Sequence, residues 1–165
     1  MYVRPHLEFA SPAWSPWLES DINVLENVQK RFVRMVSGLH STTYEDKLKE
    51  LGILSLKDRR VYFDLVETFK CINGYTKVKY EQFFLPERDI ERRPTRARTC
   101  HLNIVSSRSR LDVRKHFFTQ RAVDTWNSLP DTLKETPSLK SFKNQLKLLL
   151  LEPGTSRSST ESQQT

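Results

Sequence analysis

The residue types best suited to metal or nucleophilic chemistry are two cysteines and four histidines, and they are scattered along the chain. Cys71 and Cys100 lie 29 residues apart, and only Cys100 has a histidine, His101, beside it. A structural zinc site needs four nitrogen or sulfur ligands at short spacing, which this chain does not supply. No serine or cysteine lies in a recognisable nucleophile motif. The sequence therefore predicts no metal, no cofactor and no covalent catalysis.

Neither the acidic residues nor the glycines of the chain form a motif for metal or phosphate binding. Glu45 and Asp46 are the only adjacent acids, and neighbouring residues on a helix point in different directions, so they would not clamp a metal ion together. The four glycines lie far apart, which excludes a phosphate-cradling loop. We predict no catalytic residues in this chain.

The strongest chemical signal is a concentration of arginine between residues 92 and 121. The chain carries +7 overall, but this segment alone carries +8 and the remainder −1. Eight of the nine cations are arginine, whose planar guanidinium can bind a phosphate with two hydrogen bonds and stack on a base. The candidate nucleic-acid-binding residues are Arg92, Arg93, Arg96, Arg98, Arg108, Arg110, Arg114, Lys115 and Arg121. The alternative is a solvated basic loop with no partner.

The elements that would position these cations are mostly helical. With 165 residues, 37% of them apolar, the chain has the size of one domain with a modest core. Its longest aliphatic run, residues 148–151, is too short to span a bilayer, so we predict no membrane partner. The predicted divisions are an irregular aromatic and proline-rich lead-in (1–19), a three-helix segment (20–74), a basic loop (75–114), a C-terminal helical segment (115–152) and a disordered tail (153–165).

Glycines end the three predicted helices of residues 20–74. Apolar residues recur at steps of three and four before Gly38, Gly52 and Gly74, each placed where a left-handed residue closes a helix. Thr42 and Ser55 are each followed three residues later by an acid, which is typical of a helix start.

Two further helices are predicted after residue 115, the first ending at Leu129-Pro130 and the second beginning at Pro137. Short alternating stretches near residues 101–105 and 110–113 indicate a small β-hairpin. The fold class is therefore mostly α, with about five helices and a hairpin near 101–113. The predicted core residues are Leu25, Val28, Phe32, Leu65, Phe69, Phe118, Trp126, Phe142 and Leu146.

Several separated blocks, in order, resemble the region after the polymerase core in reverse transcriptases of LINE-type (non-LTR) retrotransposons. One block, Leu51-Gly-Ile-Leu-Ser-Leu-Lys-Asp-Arg-Arg60, is similar to the family pattern Leu-Gly-x-x-Ser-Leu-x-x-Arg-Arg. The blocks together span residues 2–16, 21–38, 51–60, 110–130 and 137–143.

The resemblance implies the thumb-side, C-terminal portion of an RNA-directed DNA polymerase. The catalytic aspartates of that family lie upstream, in an Asp-Asp motif, and this chain has no Asp-Asp pair. The chain also departs from relatives that end in a zinc knuckle, because it has too few cysteines. The expected partner of the arginine segment is RNA or an RNA–DNA hybrid, and the chain alone is expected not to be an enzyme.

The lead-in supports a second hypothesis from another class. Phe9, Trp14 and Trp17 lie among three prolines, and large aromatic residues on irregular chain usually pack against something. They are candidate docking residues for an upstream polymerase core or another protein, in which case the chain is a helical interaction module. A third alternative is the translation of a decayed element with no function of its own.

Overall fold

The structure is a computed structural model that describes residues 3–39, 43–77, 80–86, 102–105 and 109–151. Over these residues the protein is mostly α-helical, which confirms the predicted fold class. The helices are α1 (Val3–Glu8), α2 (Ser11–Trp14), α3 (Glu19–Arg34), α4 (Tyr44–Glu50), α5 (Leu56–Ile72), α6 (Asp112–Lys115), α7 (Phe118–Asn127), α8 (Asp131–Lys134) and α9 (Leu139–Leu151). A single 3-10 turn covers Tyr80–Gln82. The predicted tail, residues 153–165, lies outside the described residues.

Local signals set the ends of the longer helices. Gly38 and Gly74 follow α3 and α5 with φ of 83° and 69°, a conformation that side chains with a Cβ rarely adopt. The Ser55 hydroxyl accepts a hydrogen bond from the Asp58 N–H at 3.0 Å and so caps α5 as predicted. The cap of α4 is Thr43, one residue later than the predicted Thr42.

The lead-in is more regular than expected, because α1 and α2 both lie within it. Pro5 is the third residue of α1 and Pro12 the second residue of α2. A proline in the first turn removes an N–H that has no partner within the helix, so it is tolerated there. The expectation of an irregular lead-in was wrong for this reason.

The small β element forms, but with different partners from those predicted. Strand β2 (Ile104–Val105) pairs antiparallel with β1 (Leu85–Pro86), in the register Leu85 with Val105. Asp112 and Val113, which belong to the expected second strand (110–113), instead lie in α6. On the other side of β2, the Asn127 amide donates to the Ile104 carbonyl at 2.8 Å and accepts its N–H at 3.1 Å. A side chain of α7 thus replaces the hairpin partner.

The core lies where α5 packs against α7 and α9. Six of the nine predicted core residues are buried there, which confirms the helical periodicity of these three helices. Phe69 of α5 stacks on Phe142 of α9 with ring centroids 4.2 Å apart. The confirmed residues are Leu65, Phe69, Phe118, Trp126, Phe142 and Leu146.

The face of α3 that packs against the rest of the protein is shifted from the one predicted. Val28 is 40% exposed and Phe32 43%, so their assignment to the core was wrong, and Leu25 is only partly buried. The residues of α3 that face inward are Val33 and the buried Glu26. Because Glu26 binds polar groups of α4 and α5, its side of the helix packs inward, and Val28 and Phe32 remain exposed.

Candidate nucleic-acid interface

The structure describes four of the nine candidate phosphate-binding residues. Arg110, Arg114, Lys115 and Arg121 are described, and they have different surroundings. The others, Arg92, Arg93, Arg96, Arg98 and Arg108, lie outside the described residues.

Three of these cations lie together on the surface around α6. Arg110, Arg114 and Lys115 are all exposed. Lys115 contacts Asp112 of the same helix at 2.8 Å, an exposed pair that lowers the pKa of the Asp112 carboxyl but contributes little stability. Within the described ranges neither Arg110 nor Arg114 makes an ion pair. Their guanidinium groups are accordingly accessible to an anion in solution.

An aromatic pair adjoins these cations. The indole of Trp17 and the imidazole of His116 are stacked, with centroids 5.2 Å apart and planes within 5°. His116 is the residue that ends α6, so the stack directly follows Arg114 and Lys115 in the chain. Trp17 remains 46% exposed. We call Trp17, Arg110, Arg114, Lys115 and His116 the α6 surface; it combines exposed cations with a π-face.

Arg121 has a structural role that sequence reasoning missed. Its Nε and Nη2 donate to the two carboxylate oxygens of Asp64 at 2.8 and 2.9 Å. Nη1 donates to the His116 carbonyl at 2.9 Å, and Nη2 also donates to the Pro12 carbonyl at 2.8 Å. Burial raises the pKa of the Asp64 carboxyl, and the Arg121 guanidinium opposes that shift. Because these hydrogen bonds occupy the donors of Arg121, the residue links α2, α5 and α7. We therefore remove it from the candidate phosphate-binding residues.

The three candidate docking residues are all exposed. Phe9 is 78% exposed, while Trp14 and Trp17 are 42% and 46% exposed. The Trp14 indole N–H donates to the Phe9 carbonyl, which fixes that side chain across the turn between α1 and α2. They lie on the same lead-in, but Trp17 packs on His116 and so belongs equally to the α6 surface.

A second apolar surface lies on α3, where sequence reasoning expected core. Exposed apolar side chains recur along its length at the spacing of one helical face. They are Val24, Val28, Phe32 and Met35. We call this set the α3 stripe.

A buried polar network holds α3 in this orientation. The Glu26 carboxylate accepts the Leu56 N–H at 3.1 Å and the Tyr44 hydroxyl, and Gln29 donates to the Leu54 carbonyl at 3.0 Å. Burial, followed by the hydrogen bond to Glu26, raises the pKa of Tyr44 well above its usual value. These contacts join residues 18 to 30 positions apart, so no local pattern could have indicated them.

Other chemistry is sparse in the part of the chain that the structure covers. No group of three or more acidic, histidine or cysteine side chains could hold a metal ion among these residues. Cys71 is buried, which raises the pKa of its thiol, and Cys100 and His101 lie outside the described residues. None of the described helices is long and apolar enough to cross a bilayer.

Comparisons of the chain with protein-family models, with curated proteins and with solved structures give no match.

Proposed function

We propose that this chain is a non-catalytic nucleic-acid-binding region, resembling the post-catalytic part of a LINE-type reverse transcriptase, that binds the phosphate backbone of RNA or an RNA–DNA hybrid. The observation that carries the proposal is the α6 surface. Its Arg110 and Arg114 make no ion pair among the described residues and lie a few residues before His116, which stacks on the exposed Trp17. The catalytic aspartates of the resembled family have no counterpart in this chain, so its role is to bind.

The chemistry of the α6 surface favours backbone contacts over base readout. Arginine and lysine neutralise phosphates regardless of sequence, and release of counterions makes such binding depend steeply on salt. An exposed indole offers a stacking platform that every base can use, which suits single-stranded nucleic acid. Trp17 and the two arginines would therefore add affinity without specificity for a base.

Two guanidinium groups of the α6 surface, which make no ion pair among the described residues, can be removed together by mutation. Arg110→Ala/Arg114→Ala should weaken binding to a single-stranded RNA probe, because each lost phosphate contact reduces counterion release. The slope of log affinity against log salt concentration should become shallower by about 0.7 per lost contact. Fluorescence anisotropy at several salt concentrations measures both quantities.

A matched control is Lys140→Ala/Lys147→Ala, which removes two exposed cations from α9. It changes net charge equally, so it should leave the salt slope closer to that of the native chain. Arg92→Ala/Arg93→Ala/Arg96→Ala/Arg98→Ala tests the rest of the arginine segment in the same assay. Equal effects of the α6 and α9 variants, or RNA binding that is independent of salt, would contradict the proposal.

The α3 stripe favours a second candidate function, a helical module that docks on a polymerase core or another protein. Four large apolar side chains are exposed along one helical face, and Phe9 and Trp14 are exposed on the lead-in. Grouped apolar side chains on a protein surface are typical of interaction sites. In this candidate the α3 stripe is covered in the assembled protein.

The exposed α3 stripe can be tested directly in solution. The native chain should bind a hydrophobic dye or self-associate, and Met35→Asp should reduce either effect because Met35 is 77% exposed on the α3 stripe. Leu148→Asp is the control, since Leu148 is 63% exposed on α9, away from the stripe. Dye fluorescence and sedimentation are the measurements. A monomer that binds no dye would count against the docking function.

A further inference from the structure

The least explained polar group in the described chain is the guanidinium of Arg60. Arg60 lies on α5 and is only 6% exposed. Its Nε and Nη2 atoms are buried and find no hydrogen-bond partner among the described residues. Its neighbour Arg59, by contrast, forms an ion pair with Glu8. Burial of a cation without hydrogen-bond partners destabilises the folded state, so a ligand or a function is needed to explain Arg60.

Arg60 lines a cavity between the lead-in, α3, α5 and α7. The cavity has a volume of about 180 Å³, which greatly exceeds the roughly 10–15 Å³ that a single water requires. Besides Arg60, its polar lining includes the hydroxyl-bearing Ser15 and Thr125 and the ammonium-bearing Lys57. Apolar walls come from Pro16 and Ile22. The site thus combines hydrogen-bond donors with a partly water-excluding surface.

The acids near this cavity are already occupied by other groups. Asp64 lines it, but both of its carboxylate oxygens accept from Arg121. Glu26 lies close enough to oppose the lowering of the Arg60 pKa by burial, yet it bonds to the Leu56 N–H and the Tyr44 hydroxyl. Neither carboxylate makes a hydrogen bond to Arg60 within the described residues.

Lys57 is a solvent-exposed residue of the cavity lining. Its only ion pair among the described residues is with Glu19, at 3.4 Å between two exposed side chains. Such a pair is weak in water, so the ammonium can turn to a ligand at little cost. Lys57 and Arg60 are three positions apart on α5 and therefore share one face of the helix.

We propose that this cavity is a phosphate-binding site whose principal ligand is the Arg60 guanidinium, assisted by Lys57 and the hydroxyls of Ser15 and Thr125. A phosphate presents several acceptor oxygens around one centre, which matches a guanidinium fork, an ammonium and two hydroxyl donors. The charge of the phosphate would also compensate the buried cation. Free phosphate and the phosphate of a nucleic acid share this chemistry. The site is independent of the α6 surface, because it uses none of its residues.

The test is a titration of the full chain with inorganic phosphate, followed by thermal unfolding at constant ionic strength maintained with chloride. A ligand that binds the folded state should raise the Tm, and the rise should continue with the logarithm of the phosphate concentration above the Kd. Arg60→Met retains much of the side-chain volume without the charge, and should weaken phosphate binding by about tenfold or more, the effect expected for loss of a charge-assisted hydrogen bond. Lys147→Met, which removes an exposed cation of α9 that lines neither the cavity nor the α6 surface, should bind phosphate as the native chain does.

Lys57→Ala keeps the test decisive if Arg60→Met does not fold, because Lys57 is exposed and its loss leaves the core intact. It should weaken phosphate binding by several-fold, less than Arg60→Met. Competition by a short RNA that displaces inorganic phosphate identifies nucleic acid as the source, whereas phosphate binding that RNA leaves unchanged identifies a free phosphate. A native chain that phosphate does not stabilise beyond chloride, or variants that respond as the native chain does, would overturn the site. Neither result depends on the salt dependence of RNA binding by Arg110→Ala/Arg114→Ala, which tests the α6 surface on its own.

Discussion

Trp126→Ala should lower the free energy of unfolding by about 3–5 kcal/mol, the range found when a large aromatic side chain is removed from a core. The side chain of Trp126 is fully buried. Its ring lies 6.1 Å from that of Phe142, so it joins α7 to α9 at the centre of the core. Small domains have only about 5–15 kcal/mol of stability in total, so this variant should be close to unfolding.

The Trp126 indole N–H adds a second effect to the loss of packing. It donates to the Leu102 carbonyl at 2.9 Å and so attaches the residues before β2 to α7. Trp126→Phe should therefore be less harmful than Trp126→Ala, because it keeps most of the ring but leaves that carbonyl without the indole donor.

Urea unfolding followed by far-ultraviolet circular dichroism measures these changes without relying on tryptophan fluorescence. Trp14→Ala is a matched control, since Trp14 is 42% exposed and contacts the turn between α1 and α2. It should cost about 1 kcal/mol or less. Equal losses at Trp126 and Trp14 would show that the core is not centred where α7 meets α9.

Asp64→Leu should destabilise the protein by about 3–5 kcal/mol, since it leaves the Arg121 guanidinium in the interior without its carboxylate. The side chain of Asp64 is 9% exposed and that of Arg121 is 19% exposed, so water compensates little of the lost charge. Arg121→Met should also be destabilising, because it leaves Asp64 uncompensated. It further removes the hydrogen bonds to the His116 and Pro12 carbonyls.

The double variant Asp64→Leu/Arg121→Met should recover much of the loss, because replacing both members of a buried ion pair by apolar residues removes the uncompensated charge. Urea unfolding of the four proteins forms a double-mutant cycle and yields the coupling energy of the pair. Asp112→Ala, which breaks the exposed pair with Lys115, is the control and should leave the free energy of unfolding almost unchanged. Additive single effects at Asp64 and Arg121 would refute the buried pair.

The cavity and the α6 surface show why the sequence could indicate a class of partner but not the arrangement of the site. The excess of arginine between residues 92 and 121 is visible in the chain itself. Arg121 and Arg110 are equivalent in that count, yet one is bound to Asp64, 57 residues away, and the other is exposed. Arg60 lies outside the arginine segment, and only the packing of α3, α5 and α7 around it leaves its Nε and Nη2 buried without a hydrogen bond to the described residues.

The sequence by itself determined the features that depend on neighbours a few residues away. These are the helical character of α3, α5, α7 and α9, the end of α5 at Gly74, the Ser55 cap and the inward faces of α5 and α9. Caps and helix-ending glycines act over one turn, so they can be recognised from the local pattern.

The tertiary structure alone decided which way α3 faces, which strand pairs with β2 and which of the described arginines are exposed. Val28 and Phe32 have the spacing of core residues, but the bonds of Glu26 to Leu56 and Tyr44 turn them outward. Such contacts join side chains 18 to 57 residues apart, and their energy depends on burial that exists only once the helices have packed. The local pattern does not contain that burial, which is why sequence and structure agree on the helices but differ on the inward face of α3.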